Sequence, residues 1–85
     1  MVTIKVLGPT PPCARCQRAL REALQAAERF PGQVTVEKVD ALSPEAEAYG
    51  MVVTPGIVLN GELIASGKVL PADLLIRRIQ AILGG

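Results

Sequence analysis

This chain has no histidine, no tryptophan, one Phe and one Tyr among its 85 residues. Nucleic-acid binding is disfavoured, because so few aromatics give no stacking platform and 9 Lys and Arg against 8 Asp and Glu leave a net charge of only +1. No apolar run approaches the roughly 18 residues needed to span a bilayer, so no membrane partner is expected. The stretch from Met1 to Leu7 holds one lysine within a short apolar run and reads as a strand rather than a signal peptide. A cytoplasmic location is therefore the expectation. Cysteine is scarce too, with 2 in the chain. Structural disulfides are uncommon in the cytosol, so a lone close-spaced pair points to catalysis or metal binding. What the chain does have is aliphatic material: hydrophobic residues make up 49% of it. That suffices for one moderate core, at a length near the lower limit for folding without staples. A single domain over residues 1–85 is expected.

The two cysteines form Cys13-Ala14-Arg15-Cys16, between an apolar β-type run and a helical pattern. Val2-Thr3-Ile4-Lys5-Val6-Leu7 is rich in β-branched residues and largely apolar on both sides, which predicts a central strand ended by Gly8-Pro9. Pro9, Pro11 and Pro12 stiffen the following loop, and Pro12 sets Cys13 at or just before a helix start. From Cys13 to about Arg29 the period is helical. Cys16, Leu20, Ala23, Leu24 and Ala27 share the predicted inner face, with Arg18–Glu22 as an i,i+4 pair. Phe30-Pro31-Gly32 stops this helix, and residues 34–39 alternate as a second strand, parallel to the first through a β-α-β crossover. Ser43-Pro44-Glu45 starts a short helix with a side-chain cap, a proline and a first-turn acid, and Tyr49-Gly50 closes it. Residues 51–56 lead into Ile57-Val58-Leu59, which Asn60-Gly61 joins to Glu62-Leu63-Ile64-Ala65 as a hairpin. Past Ser66-Gly67-Lys68, Pro71 opens a last helix with Leu75, Ile79 and Ile82 inward and Asp73–Arg77 paired outside. The order β-α-β-α-β-β-α makes an α/β fold: a mixed four-stranded sheet with helices on both faces.

The chemistry of the pair follows from its place. Cys13 sits where a helix exposes unpaired N–H groups and the positive end of its dipole. A thiolate there is stabilised, so its pKa should fall below the ~8.5 of a free thiol. Cys16 lies one turn later on the apolar stripe and should be more buried. This asymmetry suits thiol–disulfide exchange, in which the exposed sulfur attacks a disulfide and the sheltered one resolves the mixed disulfide. A spacing of three along the first turn lets the sulfurs bond without moving the backbone. Arg15, Arg18 and Arg21 crowd the same helix start. For Arg18 and Arg21 a solvated face with ordinary salt bridges is the reading. For Arg15 two readings stand side by side, that solvated face or a residue that holds the thiolate or draws acidic partners. Thr54-Pro55, entering the third strand straight after a loop, is the second informative site.

Together these residues carry a resemblance. A Cys-x-x-Cys at a strand-to-helix turn, followed by Val53-Thr54-Pro55 before a hairpin and a final helix, resembles the thioredoxin fold. The length and the Thr-Pro-Gly, Asn-Gly-Glu and Gly-Lys-Val progression are most similar to the small glutaredoxin-like thioredoxins, often called redox-active disulfide proteins. The resemblance implies a thioredoxin-like three-layer α/β/α fold and thiol–disulfide oxidoreductase activity without a cofactor. Cys13 would be the nucleophile and Cys16 the resolver. Pro55 would be cis and pack against the dithiol, and the Thr54 backbone would pair with the substrate chain. Substrate contact is thus expected at Thr54, Pro55 and Arg15. The implied partners are disulfide-containing proteins and a reductase of the flavoprotein thioredoxin reductase type, with the chain itself a monomer.

The chain also departs from larger family members. Ala14-Arg15 is neither Gly-Pro nor Pro-Tyr, and no Trp precedes the pair. The first strand offers Lys5, expected to snorkel or sit at an edge, where thioredoxin has a buried Asp. Proton transfer would then fall to water or to the thiols. The Gly-Gly-x-Asp of glutathione-binding glutaredoxins is not intact in Ser66-Gly67-Lys68-Val69, so general disulfide reduction is the expectation.

The rival reading is a soft-metal-binding module or metallochaperone. Heavy-metal-associated domains also place Cys-x-x-Cys at a helix start after a first strand, and thiolates suit Cu(I) or Zn(II). Those domains usually carry Met two residues before the first Cys, where this chain has Pro11. They lack the short helix and the Thr-Pro hairpin entry. For zinc, two thiols leave two positions open and no His fills them. A purely structural disulfide is unattractive, because so short a loop restrains the unfolded chain little. The surface around Pro11, Pro12, Pro55 and Gly56 is expected to dock partners. Exposed aliphatics near Leu70 and Leu74 would fit a dimer contact instead.

Overall fold

A computed structural model describes residues 1–9, 13–50 and 53–84. Its elements are β1 (Val2–Gly8), α1 (Ala14–Glu28), β2 (Val34–Asp40), α2 (Pro44–Glu47), β3 (Gly56–Leu59), β4 (Glu62–Ser66) and α3 (Ala72–Gly84). The order is the one the sequence predicts. The stiff loop at 10–12 and the lead-in at 51–52 lie outside the described residues.

The strands form one sheet in the order β2-β1-β3-β4. β1 is parallel to β2, with Val2 opposite Val34 and Gly8 opposite Asp40. It is antiparallel to β3, with Ile4 opposite Leu59 and Leu7 opposite Gly56. β1 is therefore internal, as its β-branched and largely apolar run predicts. Period-two alternation divides its side chains between the layers. Val2, Ile4 and Val6 pack with Ile57 and Leu59 against Ala19, Ala23 and Ala26 of α1 and Leu75 and Ile79 of α3. On the other face Leu7, Val39 and Val58 meet Ala46 of α2, with Tyr49 and Leu63 alongside. The result is three layers, with α1 and α3 above the sheet and α2 below. Ile4, Leu7, Ile57, Leu75 and Ile79 are fully buried, and burying an aliphatic side chain of this size stabilises by about 1.5–3 kcal/mol.

The turn signals hold. Cys13 is the N-cap of α1, and Ser43 caps α2, its Oγ accepting from the Ala46 N–H at 3.2 Å. Asn60 and Gly61 have φ of 50° and 84°, the paired left-handed conformation of a type I′ hairpin. Asn60 also ties the turn to β1: its N–H donates to Thr3 O and its Oδ1 accepts from Thr3 N–H, both at 2.9 Å.

The helical faces need correction. The buried stripe of α1 is Cys16, Ala19, Ala23 and Ala26, and Leu24 is 47% exposed. The sheet supplies the bulk on this face, so the helix presents its alanines and carries its leucines to the flank and outside. Ile82 is 42% exposed because it rims an open groove with Leu59, Ile64 and Arg77 rather than filling the core. The expected ion pairs Arg18–Glu22 and Asp73–Arg77 do not form; among the described residues the ion pair is Lys5–Glu45. Glu22 turns instead to α3, where its Oε1 accepts from the Ala72 N–H at 2.8 Å. A free backbone donor at a helix start is a better partner for a carboxylate than an exposed arginine, whose pairing is worth little.

Candidate functional site

The end of β1, the start of α1 and the entry to β3 converge at one edge of the sheet. Cys13 has extended backbone, φ −73° and ψ 169°, and its Sγ accepts from the Cys16 N–H at 3.2 Å. A thiol thus occupies the capping position where a hydroxyl usually sits. Cys13 is exposed, whereas Cys16 is 2% exposed. Burial of Cys16 depends on Gly8. A Cβ at Gly8 would stand 2.9 Å from Cys16 Sγ and 3.2 Å from its Cβ. The strand can approach the second sulfur this closely only without a side chain.

The two thiols are driven apart in acidity. A hydrogen bond from the Cys16 thiol lowers the Cys13 pKa, and the backbone N–H groups of Cys16 and Arg15 add to it. Burial pushes the Cys16 thiol up, and its hydrogen bond to Cys13 pushes it further; the Thr54 hydroxyl beside it works the other way. The Thr54–Pro55 peptide bond is cis. The Thr54 side chain stands at the sheltered sulfur, and Pro55 is fully buried.

Arg15 is exposed and forms no ion pair among the described residues. Its link to Cys13 is its backbone amide. Lys5 is not an edge residue, since β1 is internal; it lies on the α2 face and pairs with Glu45. That hydrogen bond is the main reason its pKa is raised. Cys16 packs on the α1 face, so β1 brings neither acid nor amine to the dithiol. Among the described residues no group of three His, Cys, Asp or Glu converges, and a metal held by this pair would need ligands from elsewhere.

The expected docking patch also changes. Pro55 and Gly56 are buried, Leu70 and Leu74 are half-buried, and Pro11 and Pro12 lie outside the described residues. Among the described residues, the large exposed aliphatics at this end are Val53, at 67%, and Leu42, at 88%. Leu42 follows Ala41, whose N–H donates to Gly8 O at 2.8 Å. Reading the sequence alone missed the roles of Gly8, Ser66 and Gly67. Glycine at the strand end was a signal for the first; nothing local marked the others.

A family model described as a thioredoxin domain matches residues 2–80. Among solved structures, a chloroplastic thioredoxin z, described as defining a type-specific target recognition, aligns with a TM-score of 0.80 at 25% identity, over 100% of this chain and 80% of that one. A thioredoxin-2 of the malaria parasite, a component of its protein secretion machinery, aligns with a TM-score of 0.74 at 20% identity, over 95% of this chain and 82% of that one. At this lower identity the likeness is one of fold. No curated protein matches the chain. None of the described helices is long and apolar enough to cross a membrane.

Proposed function

The chain belongs to the thioredoxin-domain family, whose members are in general thiol–disulfide oxidoreductases, and from that premise we propose that it reduces protein disulfides as one domain over residues 1–85. The Cys13 thiolate attacks one sulfur of a substrate disulfide, forming a mixed disulfide and releasing the other sulfur as a thiol. Cys16 then loses its proton and attacks Cys13 Sγ. The second substrate thiol departs and a Cys13–Cys16 disulfide remains. The substrate gains two electrons and two protons, and the chain gives them up. A reductase of the flavoprotein type restores the dithiol in the cell, and DTT does so in an assay. No carboxylate of β1 reaches the dithiol, so the Cys16 proton goes to water or to the departing sulfur.

One observation carries this reading: at a single helix start Cys13 is exposed and acidified, chiefly by the hydrogen bond from the Cys16 thiol and then by backbone N–H groups, while Cys16 is buried and less acidic. Attack needs the first property and resolution from within needs the second. Thr54 aligns the substrate by backbone pairing, Pro55 walls the site, and Arg15 contributes its amide to the thiolate and its charge to acidic substrates. A cytoplasmic setting keeps the pair reduced and ready.

The test is DTT-coupled reduction of insulin by wild type, Cys13→Ser and Cys16→Ser. Cys13→Ser is expected to abolish turnover and Cys16→Ser to stall it. Equal rates in all three proteins would sink the proposal.

A further inference from the structure

The segment carrying Thr54 is clasped by two consecutive residues at the end of β4. Ser66 Oγ accepts from the Val53 N–H at 2.8 Å and donates to the Val53 carbonyl at 3.3 Å. One hydroxyl serves both, because it has a proton to give and lone pairs to receive. Gly67 then donates its N–H to the Pro55 carbonyl at 2.9 Å. Gly67 has φ of 77°, and a Cβ there would stand 3.0 Å from Val53 Cγ1. The clasp therefore needs a small hydroxyl residue followed by glycine. It fills the hydrogen-bonding groups of Val53 and the carbonyl of Pro55. Between them, the Thr54 N–H and C=O have no partner among the described residues.

We propose that Ser66 is a positioning residue for the substrate: by occupying both backbone polar groups of Val53, it leaves Thr54 as the open backbone groups and so fixes one register for an incoming peptide. The substrate class this implies is an extended polypeptide flanking a disulfide, not a small disulfide without a backbone. The inference rests on the reading of Thr54 as the substrate-pairing residue. Without the Ser66 hydroxyl, the Val53 N–H and C=O become free to compete for the peptide, and the segment loses one of its two ties to β4.

The test compares two substrates with DTT as electron donor: a peptide with one intramolecular disulfide, and bis(2-hydroxyethyl) disulfide, which has no peptide backbone. Ser66→Ala is expected to raise KM for the peptide about five- to tenfold at unchanged kcat, the pattern of lost binding shared by ground and transition states. The small disulfide should keep its kcat/KM, and Ser66→Thr should restore the peptide KM. An unchanged peptide KM in Ser66→Ala, or an equal loss on both substrates, overturns the inference. A wild type that reduces neither substrate overturns the oxidoreductase reading beneath it. Amide hydrogen exchange of the wild type needs no variant to fold: Val53 is expected to exchange more slowly than Thr54, and the reverse order overturns the clasp.

Discussion

At the scale of single residues, the site is a contrast between two identical side chains. Cys13 accepts a hydrogen bond from the Cys16 thiol and, after it, from the backbone donors of a helix start, whereas Cys16 is kept from water by burial and has Thr54 beside it. Their acidities diverge for that reason, with Cys13 lowered and Cys16 raised. A lowered thiol pKa means that thiolate persists to lower pH. Alkylation of wild type by iodoacetamide should therefore reach half its plateau rate below the ~8.5 of a free thiol. In Cys13→Ser the remaining thiol should react slowly across the same range, being both buried and less acidic. A wild-type midpoint at or above that of a free thiol would remove the basis for assigning attack to Cys13. The unequal exposure of the two cysteines was legible in the sequence, since it follows from the position of a helix start. The need for glycine at position 8 was not, because it depends on how closely a strand and a helix approach in space.

Single elements show where sequence reasoning reaches and where it stops. Caps and turns at Ser43, Asn60-Gly61 and Gly50 were legible because each is written by the residues that form it. The inner face of α1 was legible in period but rotated in detail. Its centre lies on Ala19, Ala23 and Ala26, a choice set by bulky β1 and β3 residues far away in sequence. The partner of Glu22 was misread for the same reason: a local rule gave Arg18, while the fold offers Ala72, 50 residues on. This bond couples the two helices of the upper layer and supplies an anionic cap to α3. Glu22→Ala is expected to cost about 1 kcal/mol. At this chain size that lowers Tm by roughly 4–8 °C. Arg18→Ala should change stability by no more than about 0.5 kcal/mol. Thermal denaturation of both variants checks the pair, and equal losses would mean that the cap contributes nothing of its own.

For the molecule as a whole, the topology explains why the chemistry gathers at one end. β1 delivers Gly8, α1 begins with Cys13, and β3, antiparallel to β1, must start beside the place where β1 ends. The cis Thr54–Pro55 bond thus arrives at the dithiol by sheet register alone. The layer order and central strand were legible because apolar patterning dictates them. The Ser66–Gly67 clasp was not, since it joins a hairpin end to a loop through one hydroxyl. The same architecture places the Lys5–Glu45 pair on the α2 face of the sheet, whereas Cys16 packs on the α1 face, and β1 itself contains no carboxylate. The central claim is that Cys13 attacks and Cys16 resolves. Mass spectrometry of Cys16→Ser incubated with a disulfide peptide, without reductant, tests it most directly. The expected result is a stable covalent adduct mapped to Cys13, with none in Cys13→Ser. Absence of the adduct in Cys16→Ser, or an equally abundant one through Cys16 in Cys13→Ser, would contradict it.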